Sequence, residues 1–188
     1  MPKNRPQLLT TTLLAQGRFL QLERRQYRDQ RGEVRCWEAA QRRQEQPAAL
    51  AIATLQPSNR VVLIRQYRPP LDSFVIEFPA GLLNPGENAV AAAVRELREE
   101  TGYVGDVLGD TGLTSSSAGL TGELVTMVTM TIDERNPENA APQAKLDDGE
   151  AIDVFLVPRH DLRDFLASRQ AEGDILDSRL AAWATALT

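Results

Sequence analysis

The sequence predicts an α/β (α+β) fold: a mixed β-sheet sandwiched between helices, with an N-terminal β-ribbon. Three observations carry that expectation. Short apolar runs of strand length recur along the chain, at residues 48–55, 61–64, 74–78 and 124–132. One alanine-rich stretch, Ala89–Thr101, has helical apolar spacing, with Asn88 placed to cap its start and Gly102 to stop it. Strand-like and helix-like segments occur in mixed order, which favours helices packed against a sheet.

The 188 residues, 42% apolar and 25% charged, suffice for one domain with a substantial core. No run approaches the roughly 18 apolar residues of a membrane span, and MPKNRPQLL lacks the apolar core of a signal peptide. No membrane association is therefore expected. Cys36 is the sole cysteine, which excludes an internal disulfide framework or a cysteine zinc cluster and fits a reducing cytoplasm. A net charge of −5 argues against a nucleic-acid partner. It leaves room for a small phosphate ligand, because an arginine pair or a divalent cation reverses the field inside one cleft.

Taken in order, residues 1–47 contain a ribbon. Residues 18–41 read as two strands joined at Asp29-Gln30-Arg31-Gly32, a turn-forming tetrapeptide. Such a ribbon is marginal alone and needs a partner surface. After the polar stretch QRRQEQ, residues 48–188 carry the apolar strands, the turn-rich NPGEN and the alanine-rich helix. A small-residue loop at 114–122 precedes the strand at 124–132. A polar loop, ERNPENAAPQAKLDDGE, leads to a last strand at 151–157, and helices near 160–169 and 175–187 close the chain.

The helix poses an electrostatic question. At about 100° per residue, Val90, Val94, Leu97 and Thr101 share one narrow stripe, and Glu96, Glu99 and Glu100 share another nearly opposite. Three carboxylates therefore crowd the C-terminal end, which the helix dipole already makes negative, at about a few tenths of a kcal/mol each. A solvated acidic face is the plain explanation. A divalent cation removes both penalties at once, and an oxygen-only ligand set suits Mg²⁺ or Mn²⁺ rather than zinc. An EF-hand does not account for the pattern, since its ligands alternate along a loop.

The flanks extend this into a motif. Gly81, five residues, Glu87, seven residues, and then Arg95-Glu96-Leu97-Arg98-Glu99-Glu100-Thr101-Gly102-Tyr103 match all nine fixed positions of the Nudix box. The chain therefore resembles a Nudix hydrolase, and its expected fold is the Nudix fold. The resemblance implies that Glu96, Glu99 and Glu100 bind Mg²⁺, that the Ala80 carbonyl adds a ligand, and that Glu87, Arg95, Gly81 and Gly102 shape the loop and helix. The stretches RQYRPP and EFPAG, with the AGL turn and the DDGE loop, are similar to the ADP-ribose and ADP-sugar pyrophosphatase branch.

That likeness implies Mg-dependent hydrolysis of ADP-ribose to AMP and ribose 5-phosphate. It makes Arg68 a ligand for the diphosphate or terminal ribose, with Arg65 and Arg42 as further substrate-binding candidates. An arginine fork suits phosphate. Trp37 and Phe19 would stack on the adenine, although Phe19 stands where tryptophan is common, and either ring could simply pack the ribbon. Glu150 is the leading general base, Glu99 a further ligand or water-holding group, and Glu123 an alternative acid. A homodimer is implied, with the 1–47 ribbon serving dimerisation and base binding. Alternatives are hydrolysis of another nucleoside diphosphate sugar, CoA or a dinucleoside polyphosphate, or a non-catalytic nucleotide sensor. His160 receives no catalytic role.

Overall fold

The structure is a computed structural model that describes residues 5–44 and 46–186. The described residues form two compact units: those up to Pro47 with Leu113–Val125, and Ala48–Gly112 with those from Thr126 onward.

In the first unit, β1 (Gln7–Gln16), β2 (Leu20–Arg28) and β3 (Val34–Arg42) form an antiparallel meander. Asp29 builds the β2–β3 turn, its Oδ1 accepting from the amides of Arg31 and Glu33 at 2.8 and 3.0 Å. Gly32 there has φ 86°, which a residue without Cβ adopts at little cost. The sequence predicts two strands and the structure has three. In QLLTTTLLAQ the leucines come in pairs rather than alternately, so β1 lacks the period of a half-buried strand, and all ten of its residues are exposed. Residues 113–125 join this unit rather than standing as a separate loop: Ala40 donates its amide to the Leu120 carbonyl at 2.9 Å.

The second unit holds the mixed sheet. Its strands are β4 (Ala48–Gln56), β5 (Arg60–Arg68), β6 (Ser73–Glu77), β7 (Ala80–Leu82), β8 (Asp106–Ser115), β9 (Leu124–Asp133), β10 (Ile152–Pro158) and β11 (Ile175–Leu176), with the outer ends of β8 and β9 running into the first unit. The order is β11-β6-β5-β4-β9-β8, with β10 on β5 and β7 on β4; β11 runs parallel to β6, and β5 is antiparallel to β4, β6 and β10. Ala49, Ala51 and Ala53 of β4 face Ala92, Ala93 and Leu97 of α1 (Ala89–Thr101) in a core completed by Val128, Met130 and Ile132. Alanine at facing positions lets helix and strand approach closely, which sets the depth at which the helix's carboxylates sit.

Two expectations change. The glycine- and aspartate-rich DVLGDTGLTS forms β8, an exposed strand whose pattern imitates a loop. The expected last helix is shorter, because Ile175–Leu176 pairs with β6 and Asp177 caps α3 (Ser178–Thr185), its carboxylate accepting from Arg179 and Leu180 amides. The preceding α2 spans Leu162–Ala171. No helix among the described residues is long and apolar enough to cross a membrane.

Candidate active site

Helix α1 begins as its sequence requires: Asn88 Oδ1 accepts from the Ala91 amide at 2.8 Å. It ends at Gly102, φ 78°, whose N–H returns to the Arg98 carbonyl at 2.8 Å. The loop between β9 and β10 packs on this end. A Cβ at Gly102 would lie 2.2 Å from the Gln143 nitrogen, and Lys145 donates its amide to the Glu99 carbonyl at 2.7 Å. A donor therefore meets the last turn where carbonyls would otherwise lack partners.

The carboxylates do not share one open face. Glu100 is only 4% exposed, in line with Ala93 and Leu97, whereas Val90 and Val94 are only partly buried. The expectation that Glu100 stands on a face opposite the core is thus corrected: its stem enters the core and only its head reaches the cleft. Glu100 Oε2 accepts from the Ala80 amide at 2.9 Å. Burial pushes its pKa up to about 8, with Glu96, Glu77 and Glu150 adding in the same direction against the Ala80 bond. Burial also raises Glu96, against the pull of Arg95.

Arg95 is the hub of the cluster. It binds Glu87 at 3.0 Å, Glu96 Oε1 at 2.7 Å, Glu99 Oε2 at 2.8 Å and the Leu82 carbonyl at 3.0 Å. Its hydrogen bond with Glu87 holds that carboxyl below the usual range and raises the guanidinium. With Arg95 between Glu96 and Glu99, no three His, Cys, Asp or Glu side chains among the described residues converge on one point as a ready-made ion site. The donor set still fits a hard divalent cation: oxygen donors only, and a buried carboxyl whose ionised form the Ala80 amide compensates only in part. Gly81 supplies the space. A Cβ there would lie 1.9 Å from Glu96 Oε1, so that carboxylate occupies the volume the glycine leaves open.

These groups line a cleft of about 330 Å³ that brings together Arg68, Ala80, Gly81, Arg95, Glu96, Glu99, Glu100 and Glu150. Glu150 sits in a tight turn, its carboxylate accepting from the Asp147 amide at 3.0 Å and its own amide bonding the Asp147 carbonyl at 3.1 Å. Arg68 enters from the end of β5, and its Nε donates to Glu77 Oε1 at 2.8 Å. Burial alone would lower the Arg68 pKa; Glu77, Glu100 and Glu150 together raise it.

Arg65 is not brought to this cleft. Three residues earlier on a strand, it projects from the opposite side, where it binds the buried Asp174 at 3.0 Å and lies 3.7 Å from the Phe74 ring centre. A second aspartate, Asp153, accepts from it at 3.3 Å. His160 is exposed beside Asp161, outside the cleft.

The remaining candidates lie in the ribbon unit. Trp37 Nε1 donates to the Gly119 carbonyl at 3.0 Å, and the ring borders a groove of about 260 Å³ with Tyr27, Ala118 and Leu120. Phe19, 68% exposed with Arg18 5.0 Å from its ring centre, does not line that groove. Arg42 and Glu123 are each other's partners at 2.8 Å.

Sequence reasoning missed Glu77, Gln66, Asp147 and Lys145. Glu77 stands inside EFPAG, a stretch read for its likeness to the ADP-ribose and ADP-sugar branch without a role for its glutamate. Lys145 had a visible signal: of 21 basic residues only Lys3 and Lys145 are lysine.

Comparison with known proteins agrees with this geometry. The family model described as "NUDIX domain" matches residues 44–177. An ADP-sugar pyrophosphatase of Mus musculus is 34% identical over 183 residues, covering 93% of this chain and 84% of that protein. An ADP-ribose pyrophosphatase of Saccharomyces cerevisiae is 32% identical over 171 residues, covering 87% and 74%. An ADP compounds hydrolase, known as a crystal structure, shares the fold with a TM-score of 0.71 at 22% identity, over 98% of this chain and 92% of that one. Motif, cleft and relatives lead to one assignment: the chain belongs to the Nudix family.

Proposed function

We propose that this chain hydrolyses the diphosphate of ADP-ribose, and of other ADP-sugars, to AMP and a sugar phosphate, with Mg²⁺ as the cation and Mn²⁺ as a substitute. The observation that carries the reading is the meeting of Arg68 with Glu96, Glu99, Glu100 and Glu150 in one cleft. The relatives named ADP-sugar and ADP-ribose pyrophosphatase support the substrate.

Glu96, Glu99, Glu100 and the Ala80 carbonyl would hold the cation. When bound, it neutralises charge on the diphosphate and acidifies the attacking water, contributions of about several kcal/mol to the barrier. Arg68 holds a phosphate through its terminal amino groups, because Glu77 already takes its Nε. Glu150 accepts the proton as the water oxygen bonds to phosphorus and the bridging P–O bond breaks. The leaving phosphate departs with the bond's electron pair, and no covalent enzyme intermediate forms. Trp37 stacks on the adenine.

The reading includes a homodimer. Leu8 and Leu13 of β1 are 55% and 51% exposed, and Leu9, Leu14 and Leu22 are exposed beside them, a surface suited to a second copy. The Trp37 groove then meets a base held by the partner. Light scattering at micromolar concentration should return twice the chain mass, and a monomer would remove this part.

Phosphatase-coupled phosphate release from a substrate panel, with Mg²⁺ and then with EDTA, tests the proposal. ADP-ribose and ADP-sugars should rank first and EDTA should abolish release. Preference for CoA or dinucleoside polyphosphates overturns the substrate, and silence across the panel overturns the enzyme in favour of a sensor.

A further inference from the structure

The cleft contains one cation that neither the motif nor the proposed chemistry uses. Lys145 lines it together with the carboxylates, on the loop that carries Glu150. Its main chain is held firmly: the Lys145 amide donates to the Glu99 carbonyl at 2.7 Å, and the neighbouring Gln143 lies against Gly102. Its side chain is exposed. The backbone bond thus fixes where the side chain starts, at the last turn of the carboxylate helix.

The other two cations of the cleft are committed. Arg95 is spent on Glu87, Glu96, Glu99 and the Leu82 carbonyl. Arg68 has given its Nε edge to Glu77. Among the described residues no hydrogen bond or ion pair engages Lys145 Nζ. The residue type is also singular, since 19 of the 21 basic residues in the chain are arginine. Chemistry gives a reason for lysine here. Glu96, Glu99, Glu100, Asp147 and Glu150 all line the cleft, and a guanidinium would be captured bidentately by such carboxylates, as Arg95 is. An ammonium is a hydrated point charge with rotatable donors, so it exchanges readily from water to an arriving phosphate.

We infer that Lys145 is a second ligand of the substrate's diphosphate, complementary to the preset Arg68. The inference rests on the cleft being the site of diphosphate hydrolysis. Its role is ground-state binding: it contributes to KM and to the salt dependence of capture, and leaves the chemical step to the carboxylates.

The test is steady-state hydrolysis of ADP-ribose with Mg²⁺ by wild type, Lys145→Ala and Lys145→Met, across ionic strength. Melting temperatures of all three should agree, because the side chain is exposed. Both variants should raise KM about tenfold, with kcat within about twofold, as expected for one lost charge-assisted hydrogen bond. Both should also weaken the dependence of kcat/KM on salt, since one attracting charge is gone. A KM within about twofold of wild type, or a loss confined to kcat, overturns the assignment. If the wild type releases no AMP from ADP-ribose, the functional reading fails first and this inference with it. Wild-type cleavage alongside unaltered variants removes Lys145 alone.

Discussion

Glu100 Oε2 accepts a hydrogen bond from the Ala80 amide at 2.9 Å, which ties the carboxylate helix to β7, the strand that carries Gly81. One oxygen is thus a structural acceptor, and the buried head is left incomplete on its cleft side. Glu100→Gln keeps an acceptor for Ala80 while losing the negative charge. Its fold should therefore persist, and kcat/KM with Mg²⁺ should fall about a thousandfold, the equivalent of several kcal/mol of barrier. Activity within a few-fold of wild type would remove Glu100 from the proposed ligand set.

The same residue makes stability depend on pH. Burial lifts its carboxyl from about 4.5 to about 8 in the folded chain. Between those values the folded protein holds a proton that the unfolded chain has released, so stability falls as pH rises through this window, by on the order of a few kcal/mol. Glu96 and Glu77 are raised too and act in the same sense, whereas Glu87 is lowered and its contribution is lost on acidification. In EDTA, the melting temperature should be lower at pH 8 than at pH 5.5 by about 5 °C or more, with a flatter profile for Glu100→Gln. A wild-type profile that is flat or rises toward pH 8 contradicts the buried-carboxyl account.

Two glycines separate function from stability. At Gly81 the three atoms nearest an added Cβ all belong to the Glu96 carboxylate, at 1.9 to 2.7 Å. At Gly102 it meets the backbone of Pro142 and Gln143, with φ at 78°. Gly81→Ala should fold with a small loss of melting temperature and little activity. Gly102→Ala should lose about 2 kcal/mol or more, from the left-handed conformation and the backbone clash together. Chemical denaturation beside activity assays decides this, and an inactive, strongly destabilised Gly81→Ala would refute the division.

Glu77 should matter to substrate binding through Arg68. Glu77→Gln weakens the bond that orients the guanidinium, so KM for ADP-ribose should rise about five- to tenfold with kcat nearly unchanged. A lower melting temperature with unaltered KM would make Glu77 a packing residue only.

How much of this was legible in the sequence differs by element. The Nudix box marked the helix, its Gly102 stop and the Glu87–Arg95 pair, and Asn88 marked the N-cap by residue type, because those roles depend on local spacing. Glu100's burial was hidden, since a helical wheel cannot show how closely alanines on both sides let the helix approach β4. Arg65 and Arg68 both flank a strand end and are both substrate-binding candidates in sequence, with Arg68 favoured by the QYRPP stretch. Strand alternation sends them to opposite faces, and the partners that claim Arg65, Asp153 and Asp174, lie 88 and 109 residues further along the chain. β1 and β8 escaped because exposed strands carry no buried-face period.

The central claim is that these carboxylates direct metal-dependent cleavage of a diphosphate. Chromatography of ADP-ribose incubated with wild type and with Glu100→Gln, each with Mg²⁺ and with EDTA, tests it most directly. The account predicts AMP and ribose 5-phosphate in equal amounts from the wild type with Mg²⁺ alone. AMP formed at a comparable rate by Glu100→Gln, or by the wild type in EDTA, would contradict it.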